Sequence, residues 1–365
     1  MSSRWGRQFQ ISIFGESHGA GIGVVIDGVP AGFTLDLEEL YAFLKRRAPG
    51  RNRASTPRQE SDLPELVSGV QDGRTTGAPL TALIRNSDQH SKDYSELAST
   101  ARPGHADYTG YLRYAGCNDV RGGGHFSGRL TAPLCFAGGV ARQLLAARGV
   151  LVGAHAARIA GIDDAPFDPV GLDATTLLAP GKAEIPVLDP ESGRRMLDAI
   201  ELARMEQDSV GGVVECAVLG MPAGVGSPMF DGLENRIASI VFGIPAVKGI
   251  EFGAGFNAAE LRGSQNNDPF RIRDGRVVCS TNHAGGILGG ISNGMPILFR
   301  AAFKPTPSIS QPQQTVDFVR HTERDLTVHG RHDPCVVLRA VPVVEAAAAI
   351  AAADCLLEAD GYRHC

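Results

Sequence analysis

Two long, alanine-rich apolar stretches constrain the fold of this chain more than any other feature. They span residues 130–148 and 343–357, and small or apolar side chains fill nearly every face of both predicted helices. A helix that is apolar on almost all sides has to be buried, and small side chains let it approach its neighbours closely. We therefore predict two core helices that are covered by β-sheets.

Shorter periodic segments surround these two stretches. Helical spacing is found at residues 35–47, 192–205 and 233–242. Strands are predicted in the runs at residues 11–14, 22–27, 67–70, 79–84, 213–219 and 297–303. The polar residues 51–65 are predicted to form an ordered loop or a flap, and residues 310–330 a surface excursion. Since no linker or composition shift marks a boundary, we predict one α+β domain over residues 1–365, with two halves alike in outline.

The composition is that of a compact globular protein, with 43% hydrophobic and 21% charged residues. The net charge of −5 disfavours nucleic acid or an anionic membrane as the main partner. The N-terminus has no apolar run of signal-peptide length and nowhere do ~18 uninterrupted apolar residues occur, so we expect a cytoplasmic protein. The seven cysteines are scattered and never spaced as Cys-x-x-Cys, which predicts reduced, mostly buried thiols without a disulfide framework or a structural zinc site.

A dense basic segment stands out in this acidic chain. Within fourteen positions it contains Lys45, Arg46, Arg47, Arg51, Arg53 and Arg58. Guanidinium groups bind carboxylate and phosphate in bidentate fashion. The alternative is a solvated basic helix end that complements the helix dipole, and the residues alone leave both interpretations open. A nucleic-acid patch is disfavoured because the segment lacks interleaved aromatic residues.

Two histidines follow glycine-rich or irregular sequence where little would screen them. His18 lies in the GESHG motif at residues 15–19, directly after a predicted strand, and His105 lies in the RPGHADY motif at residues 102–108. Either position suits an acid or a base, and Arg102 and Asp107 lie close enough in sequence to orient His105. A lone histidine is more often structural, but two such motifs in one chain weaken that interpretation.

The RGGGHFSGR motif at residues 121–129 leads straight into the first alanine-rich helix. Consecutive glycines let backbone N–H groups face a phosphate, and the helix N-terminus adds partial positive charge. The spacing is neither the dinucleotide fingerprint nor a Walker loop. The motif is a moderate signal for a phosphate or a flat ligand.

Three further motifs lie downstream, at residues 282–290, 304–308 and 331–335. Glycine turns, a lysine on a Pro-Thr-Pro loop and an Arg/Asp pair suit the walls of a site for a phosphorylated cofactor, although each alone could be a simple turn. No nucleophilic triad, metal cluster or paired-carboxylate signature accompanies them. The residues therefore indicate an enzyme or a binding protein for a polyanionic small molecule, with room for a second phosphorylated ligand.

The order of these motifs resembles the chorismate synthase family over nearly the whole chain. The matching segments are residues 15–19, 102–109, 121–129, 262–265, 282–290 and 331–334. The resemblance implies an α+β sandwich with internal pseudo-two-fold symmetry, long helices between antiparallel sheets, and a homotetramer. It also implies a reaction in which 5-enolpyruvylshikimate 3-phosphate loses phosphate and a C6 hydrogen by anti-1,4 elimination to give chorismate. Reduced FMN is required, without net redox change.

By position, the resemblance also implies roles for individual residues. His18 would be the acid that faces the departing phosphate, His105 would donate to the reduced flavin, and Asp333 would help to pass on the C6 proton. The substrate, with about four negative charges, would be bound by Arg46, Arg47, Arg53, Arg102, Arg129 and Arg339. FMN would be bound by His125, Phe126, Ser127, Pro245, Ala246, Gly289, Lys304, Pro305, Thr306, Pro307, Ser308 and Arg331.

Some residues depart from the family's pattern. Ala48 stands where many relatives have a third arginine, His125 and Phe126 replace polar flavin neighbours, and Pro245 replaces an amide side chain. The chain lacks the extra length of relatives that reduce their own flavin, so we expect a monofunctional enzyme to which NADPH contributes only through a separate flavin reductase. Two alternatives are a flavin-dependent oxidoreductase with net hydride transfer and a polyanion-binding module without catalysis.

Overall fold

The structure is a computed structural model that describes residues 3–48, 62–86, 98–328 and 333–363. Its α-helices are α1 Leu37–Arg47, α2 Asp107–Arg113, α3 Thr131–Ala146, α4 Ala174–Lys182, α5 Pro190–Met205, α6 Leu233–Val241, α7 Gly263–Asn266 and α8 Val337–Arg363. Short 3₁₀ segments lie at Arg121–Phe126, Gly128–Leu130, Met229–Asp231 and Gly255–Glu260.

Most of the strands belong to two antiparallel sheets, one in each half of the chain. The strands of the first half are β1 Arg4–Trp5, β2 Gln10–Gly15, β3 Gly21–Asp27, β4 Glu65–Ser68, β5 Val70–Gln71, β6 Arg74–Thr75 and β7 Leu80–Arg85. Those of the second half are β8 Leu151–Ile159, β9 Ile162–Asp163, β10 Gly212–Leu219, β11 Val247–Phe252, β12 Phe270–Arg273, β13 Arg276–Cys279, β14 Ile287–Leu288, β15 Ile291–Ser292, β16 Ile297–Phe303, β17 Gln313–Asp317 and β18 Thr322–Leu326.

The two large sheets have five strands each. The first has the order β1-β2-β3-β7-β4 and the second β11-β16-β10-β8-β9, with every neighbouring pair antiparallel. Ile13 faces Val24 across β2 and β3, and Cys216 faces Phe299 across β10 and β16. Each half of the chain thus supplies one five-stranded antiparallel sheet and one long helix.

The helices α3 and α8 fill the space between the sheets. Helix α3 packs on β2, β3 and β7 of the first sheet, α8 packs on β8 and β10 of the second, and the two helices pack on each other. Gly138 permits this approach, because a Cβ at that position would lie 2.2 Å from the Cβ of Ala346. The predicted α+β class and the predicted pair of core helices between sheets are confirmed.

Helix α1 carries the basic segment to the edge of this core. Asp36 caps its N-terminus by accepting a hydrogen bond from the Glu39 N–H at 3.0 Å. Leu40, Phe43 and Leu44 are buried, and α1 packs on both α3 and α8. The last turn of α1, which holds Arg46 and Arg47, therefore ends beside the two core helices.

Most predicted elements are confirmed, but three of them differ. The strand predicted at 67–70 is broken at Gly69, where φ is +84° and a Cβ would lie 2.4 Å from the Leu80 Cα. Helix α8 begins at Val337 and continues through Pro342, which a reading of the sequence takes as a break. Residues 310–330 contain the β17–β18 hairpin, and β8 was not predicted. Residues 51–61 of the predicted flap lie outside the described residues.

The cysteines and the long apolar helix have ordinary structural explanations. The six described cysteines are free thiols, five of them buried and Cys117 exposed, whereas Cys365 lies outside the described residues.

Residues Val337–Tyr362 of α8 are long and apolar enough to span a membrane, but 94% of their most apolar window is buried inside the protein. This helix is a core helix of the fold.

Candidate active site

His18 lies in the turn between β2 and β3, where it is buried against the glycine-rich segment 121–125. The Ser17 N–H donates to the Gly124 carbonyl at 3.2 Å, and the Ser17 hydroxyl donates to the Arg121 carbonyl at 3.2 Å. His125 Nδ1 donates to the Gly15 carbonyl at 2.8 Å. These hydrogen bonds hold the GESHG turn and the glycine-rich segment together.

Adjacent glycines lie against the two predicted catalytic histidines. Gly122 and Gly123 have φ values of +59° and +86°. A Cβ on Gly122 would lie 2.2 Å from both Cε1 and Nδ1 of His18. One on Gly123 would lie 3.1 Å from Cε1 and 3.2 Å from Nε2 of His105. The missing side chains and the left-handed backbone therefore bring His18 and His105 into one site.

His105 is oriented by a buried carboxylate. Its Nδ1 donates to Asp107 Oδ1 at 2.8 Å, and Arg102 donates to the same carboxylate through Nε and Nη2 at 2.8 Å each. Burial would raise the pKa of Asp107, but the hydrogen bonds from Arg102 and His105 outweigh burial and hold it well below its usual range. The ionised carboxylate fixes the ring and leaves its Cε1–Nε2 edge against Gly123.

The loop at residues 304–308 joins the site from the second sheet. Arg102 Nη1 donates to Ser308 Oγ at 3.3 Å, and Lys304 Nζ donates to the Gly104 carbonyl. The Lys304 N–H donates to the Ala246 carbonyl at 3.0 Å, which brings residue 246 to the same loop. The segment 102–105, Ala246 and the 304–308 loop therefore border one region.

This loop carries donors that suit a phosphate group. Burial lowers the pKa of Lys304, and the like charge of Lys248 lowers it further. The Thr306 Oγ1 is buried and has no hydrogen-bond partner among the described residues. Neighbouring cations and an unsatisfied hydroxyl fit the phosphate of a phosphorylated cofactor.

A second cluster pairs two of the predicted arginines through one carboxylate. Arg47 Nη1 and Arg129 Nη1 donate to different oxygens of Asp62, whose side chain is only 1% exposed. Burial would raise the pKa of Asp62, but Arg47 and Arg129 outweigh burial and lower it. Arg47 also donates to Thr131 Oγ1 at 3.0 Å and to the Gly128 carbonyl at 3.3 Å.

Arg339 and Asp333 extend this cluster at the start of α8. Arg339 Nε donates to the Arg47 carbonyl at 3.0 Å, and its Nη1 donates to Asp333 Oδ2 at 2.5 Å. Burial lowers the pKa of Arg339, while Asp333 partly offsets this effect. Arg339 therefore links Asp333 to the backbone of Arg47, whose side chain pairs with Asp62.

Asn86 connects the arginine cluster to the turn of His18. Its Oδ1 accepts from Arg129 Nε at 3.2 Å, and its Nδ2 donates to the carbonyls of Glu16 and Gly19 at 3.0 and 2.9 Å. A continuous set of contacts thus runs from Asp333 through the arginines to the GESHG turn. The glycine-rich segment in turn joins the GESHG turn to His105.

Several predicted site residues lie elsewhere or outside the described residues. Arg46 donates through both Nη atoms to Glu345 at 2.8 and 2.5 Å, so the structure does not bring its guanidinium to Asp62. The Gly289 turn contacts the Ser227–Gly232 region through Gly290. Arg53 and Arg331 lie outside the described residues.

The remaining predicted flavin neighbours flank the glycine-rich segment and the 304–308 loop. His125 Nε2 accepts from Ser3 Oγ at 2.8 Å, Phe126 is 37% exposed, and Ser127 Oγ accepts from the Arg129 N–H at 3.3 Å. Pro245 precedes Ala246, whose φ is +75°. Pro305 and Pro307 alternate with Lys304, Thr306 and Ser308 along the loop.

Sequence reasoning missed Asp62 and Asn86. Each stands alone at the edge of a polar stretch, and neither belongs to a recognisable motif. Their partners lie 15 to 70 residues away along the chain. The burial of Arg47 and Arg129 points to Asp62 and Asn86, because buried guanidinium groups need hydrogen-bond acceptors.

Comparison with known proteins assigns the chain and its fold to one family. Residues 9–357 match the family model described as chorismate synthase. The curated chorismate synthase of Lancefieldella parvula is 47% identical over 100% of both chains, and that of Thermococcus gammatolerans is 48% identical over 98% of both. A crystal structure of chorismate synthase superposes with a TM-score of 0.77 at 29% identity and covers 97% of this chain and 93% of that one.

Proposed function

The chain belongs to the chorismate synthase family, and on that premise we propose that it converts 5-enolpyruvylshikimate 3-phosphate into chorismate and phosphate. In this anti-1,4 elimination the C3–O bond to phosphate and a C6–H bond break, and a second ring double bond forms. The observation that carries the proposal is the approach of His18 and His105 to adjacent glycines, together with the hydrogen bonds of Asn86 that join the His18 turn to Arg129 of the arginine cluster.

The arginine cluster supports binding of a multiply anionic substrate. Arg47 and Arg129 are buried around Asp62, and Arg339, which is partly exposed, contacts the Arg47 carbonyl, although the chain as a whole carries a net charge of −5. Cations in a dry pocket attract phosphate and carboxylate strongly because little water screens them. We assign substrate binding to these three residues, with Arg53 as a further candidate. Arg102 contributes by orienting Asp107 and His105.

Reduced FMN is the cofactor that we propose for this site. Lys304 and Thr306 would hold its phosphate, and His105 would donate to the flavin ring. His125, Phe126, Ser127, Pro245, Ala246, Pro305, Pro307 and Ser308 would complete the walls, with Arg331 and Gly289 as further candidates. When bound, the reduced flavin supplies an electron-rich ring that makes cleavage of the C–O bond possible.

The protein's own residues provide acid–base chemistry and orientation. His18 would protonate the departing phosphate, and its burial against Gly122 keeps water from competing with it. Asp333 would help to pass on the proton from C6, with Arg339 holding its carboxylate in place. Asp107 would keep the His105 ring in a fixed orientation while the chemistry proceeds.

Several finer properties belong to the same proposal. The enzyme would be a monofunctional carbon–oxygen lyase that acts on phosphates, built as one domain over residues 1–365 and working in the cytoplasm as a homotetramer. Reduced FMN would come from a separate flavin reductase, so NADPH alone should support no turnover. Size-exclusion chromatography with light scattering tests the tetramer. NADPH-driven turnover without a reductase would contradict the monofunctional assignment.

An anaerobic assay tests the activity. The protein is mixed with dithionite-reduced FMN and 5-enolpyruvylshikimate 3-phosphate, and chorismate absorbance and phosphate release are followed together, with oxidised FMN as the control. We expect equal amounts of both products and no net oxidation of the flavin. Stoichiometric flavin oxidation would favour a hydride-transferring oxidoreductase, and binding without product would favour a polyanion-binding module.

Substitution of the histidines tests the assignment of roles. His18→Ala and His105→Ala should each lower turnover by roughly 10²–10⁴-fold, the usual cost of lost acid–base help. His321→Asn is the matched control, because His321 lies exposed in the β17–β18 turn with φ +55°, which asparagine tolerates. Full turnover in both alanine variants would refute the two roles.

A further inference from the structure

Asp62 makes an unusual contact for a site that has to bind anions. Its two carboxylate oxygens accept hydrogen bonds from two different guanidinium groups, those of Arg47 and Arg129. The side chains of all three residues are at most 5% exposed. The arginine pair therefore already holds an anion, and that anion belongs to the protein.

Two further N–H groups of Arg47 are also used inside the protein. Its Nε donates to Thr131 Oγ1, and its Nη2 donates to the Gly128 carbonyl. A phosphate or carboxylate that binds Arg47 in bidentate fashion needs two parallel N–H groups on one edge of the guanidinium. The Nη1 group that such an anion would use points at Asp62.

We propose that the Asp62 carboxylate occupies the anion-binding position between Arg47 and Arg129, and that an anionic group of the ligand has to displace it. This inference rests on the substrate role proposed above for the two arginines. Asp62 is then an affinity-determining residue of the site, because every anion that enters competes with it.

Competition with an internal carboxylate selects for highly charged ligands. A small anion that replaces Asp62 regains about the same charge-assisted hydrogen bonds that Asp62 loses, so its net gain is small. A ligand that carries further anionic groups also reaches Arg339 and gains contacts that Asp62 cannot make. The exchange therefore discriminates against free phosphate, which is also a product of the proposed reaction.

An internal anion also stabilises the site before the ligand binds. Two guanidinium groups that face one position repel each other, and burial makes this repulsion costly. Among these five described side chains, Asp62 and Asp333 leave one net positive charge with Arg47, Arg129 and Arg339. When Asp62 is displaced, the ligand meets a stronger positive charge than the empty site displays.

Titration calorimetry with inorganic phosphate, in low-chloride buffer and without flavin, tests the proposal on the full chain. Asp62→Asn keeps the shape of the side chain but removes its charge, and it should bind phosphate about tenfold or more tightly than the wild type. Glu65→Gln is the matched control, because it removes an exposed carboxylate three residues further along the chain and should bind phosphate as the wild type does. Phosphate affinity in Asp62→Asn equal to or below that of the wild type would overturn the proposal.

A second variant covers the case in which Asp62→Asn does not fold in dilute buffer. Asp62→Ser opens space for an external anion, so its thermal unfolding should shift upward with added phosphate by more than that of the wild type. An equal or smaller shift would overturn the proposal. Tighter phosphate binding in a protein that makes no chorismate would support the role of Asp62 while contradicting the proposed reaction. Chorismate formation by the wild type, with no gain of phosphate affinity in Asp62→Asn, would refute only the role of Asp62.

Discussion

Gly122 lies so close to His18 that no other residue fits between the glycine-rich segment and the imidazole ring. A Cβ at position 122 would lie 2.2 Å from both Cε1 and Nδ1 of His18 and 2.8 Å from Ser17 Oγ. Real Cβ atoms do not approach other atoms within 3.0 Å. The position of the histidine thus depends on the absence of a side chain 104 residues away along the chain.

Gly122→Ala should therefore lower turnover nearly as much as His18→Ala does, because the ring has to leave its place. Gly149→Ala is the matched control, since Gly149 has φ +76° but no atom lies within 4 Å of the place that a Cβ would take there. The control carries the same backbone strain without the clash. Steady-state kinetics with reduced FMN measures the effect. Equal losses in the two variants would show that strain, and not displacement of His18, is the cause.

Asp107 should matter for both orientation and stability. Asp107→Asn removes the charge that binds Arg102 and His105, and the loss of charge-assisted hydrogen bonds predicts a roughly 10- to 100-fold fall in kcat. The buried Arg102 then lacks its carboxylate, which should cost about 3–5 kcal/mol of unfolding free energy. Urea unfolding and single-turnover kinetics measure the two effects. Asp163→Asn, at an exposed ion pair with Arg158, should leave both unchanged.

Arg46 should behave as a structural residue and not as a substrate ligand. Arg46→Gln breaks a bidentate pair with the buried Glu345 and should lower the free energy of unfolding by about 3–5 kcal/mol, with less than a twofold change in KM. Arg129→Gln should mainly raise KM. A raised KM in Arg46→Gln at unchanged stability would restore Arg46 to the substrate-binding set.

Hydrophobic periodicity and β-branched runs correctly predicted the helices and strands that the local sequence determines. Strand β16 matches its predicted bounds, and α3 begins one residue after its predicted start. Pro342 shows the limit of this reasoning, because burial between α3 and the second sheet stabilises α8 through a residue that breaks isolated helices. Local sequence does not contain that tertiary contribution.

The motifs singled out candidate site residues, but not the contacts that each of them makes. His18 and His105 follow from their glycine-rich surroundings. Arg46 and Arg47 are adjacent in the same basic run, yet they contact Glu345 and Asp62, because successive residues on a helix point about 100° apart. The role of Asp62 could be recognised only from the fold, because its partners Arg47 and Arg129 lie 15 and 67 residues away along the chain.

A buried histidine outside the proposed site gives a prediction about pH. His155 lies on β8 and is fully buried between Asp164, which directly follows β9, and Glu215 of β10. Its Nδ1 is 2.8 Å from Asp164 Oδ2, and its Nε2 is 3.0 Å from Glu215 Oε2. Burial would lower the pKa of His155, but the hydrogen bonds to Asp164 and Glu215 outweigh it and raise the pKa above 6.5. The folded protein therefore binds this proton more tightly than the unfolded chain does.

Because the folded-state pKa is raised, the contribution of His155 to stability is fully present below about pH 6.5 and is lost as the pH rises through that raised pKa. His155→Gln should lower the free energy of unfolding by about 3–5 kcal/mol at pH 6, where two buried carboxylates lose their cation. The difference from the wild type should shrink at pH 9, with His321→Asn as the exposed control. Urea unfolding of the three proteins at both pH values measures it. A difference that stays constant between pH 6 and pH 9 would mean that His155 contributes by packing against Phe167, 4.6 Å away, and not by its charge.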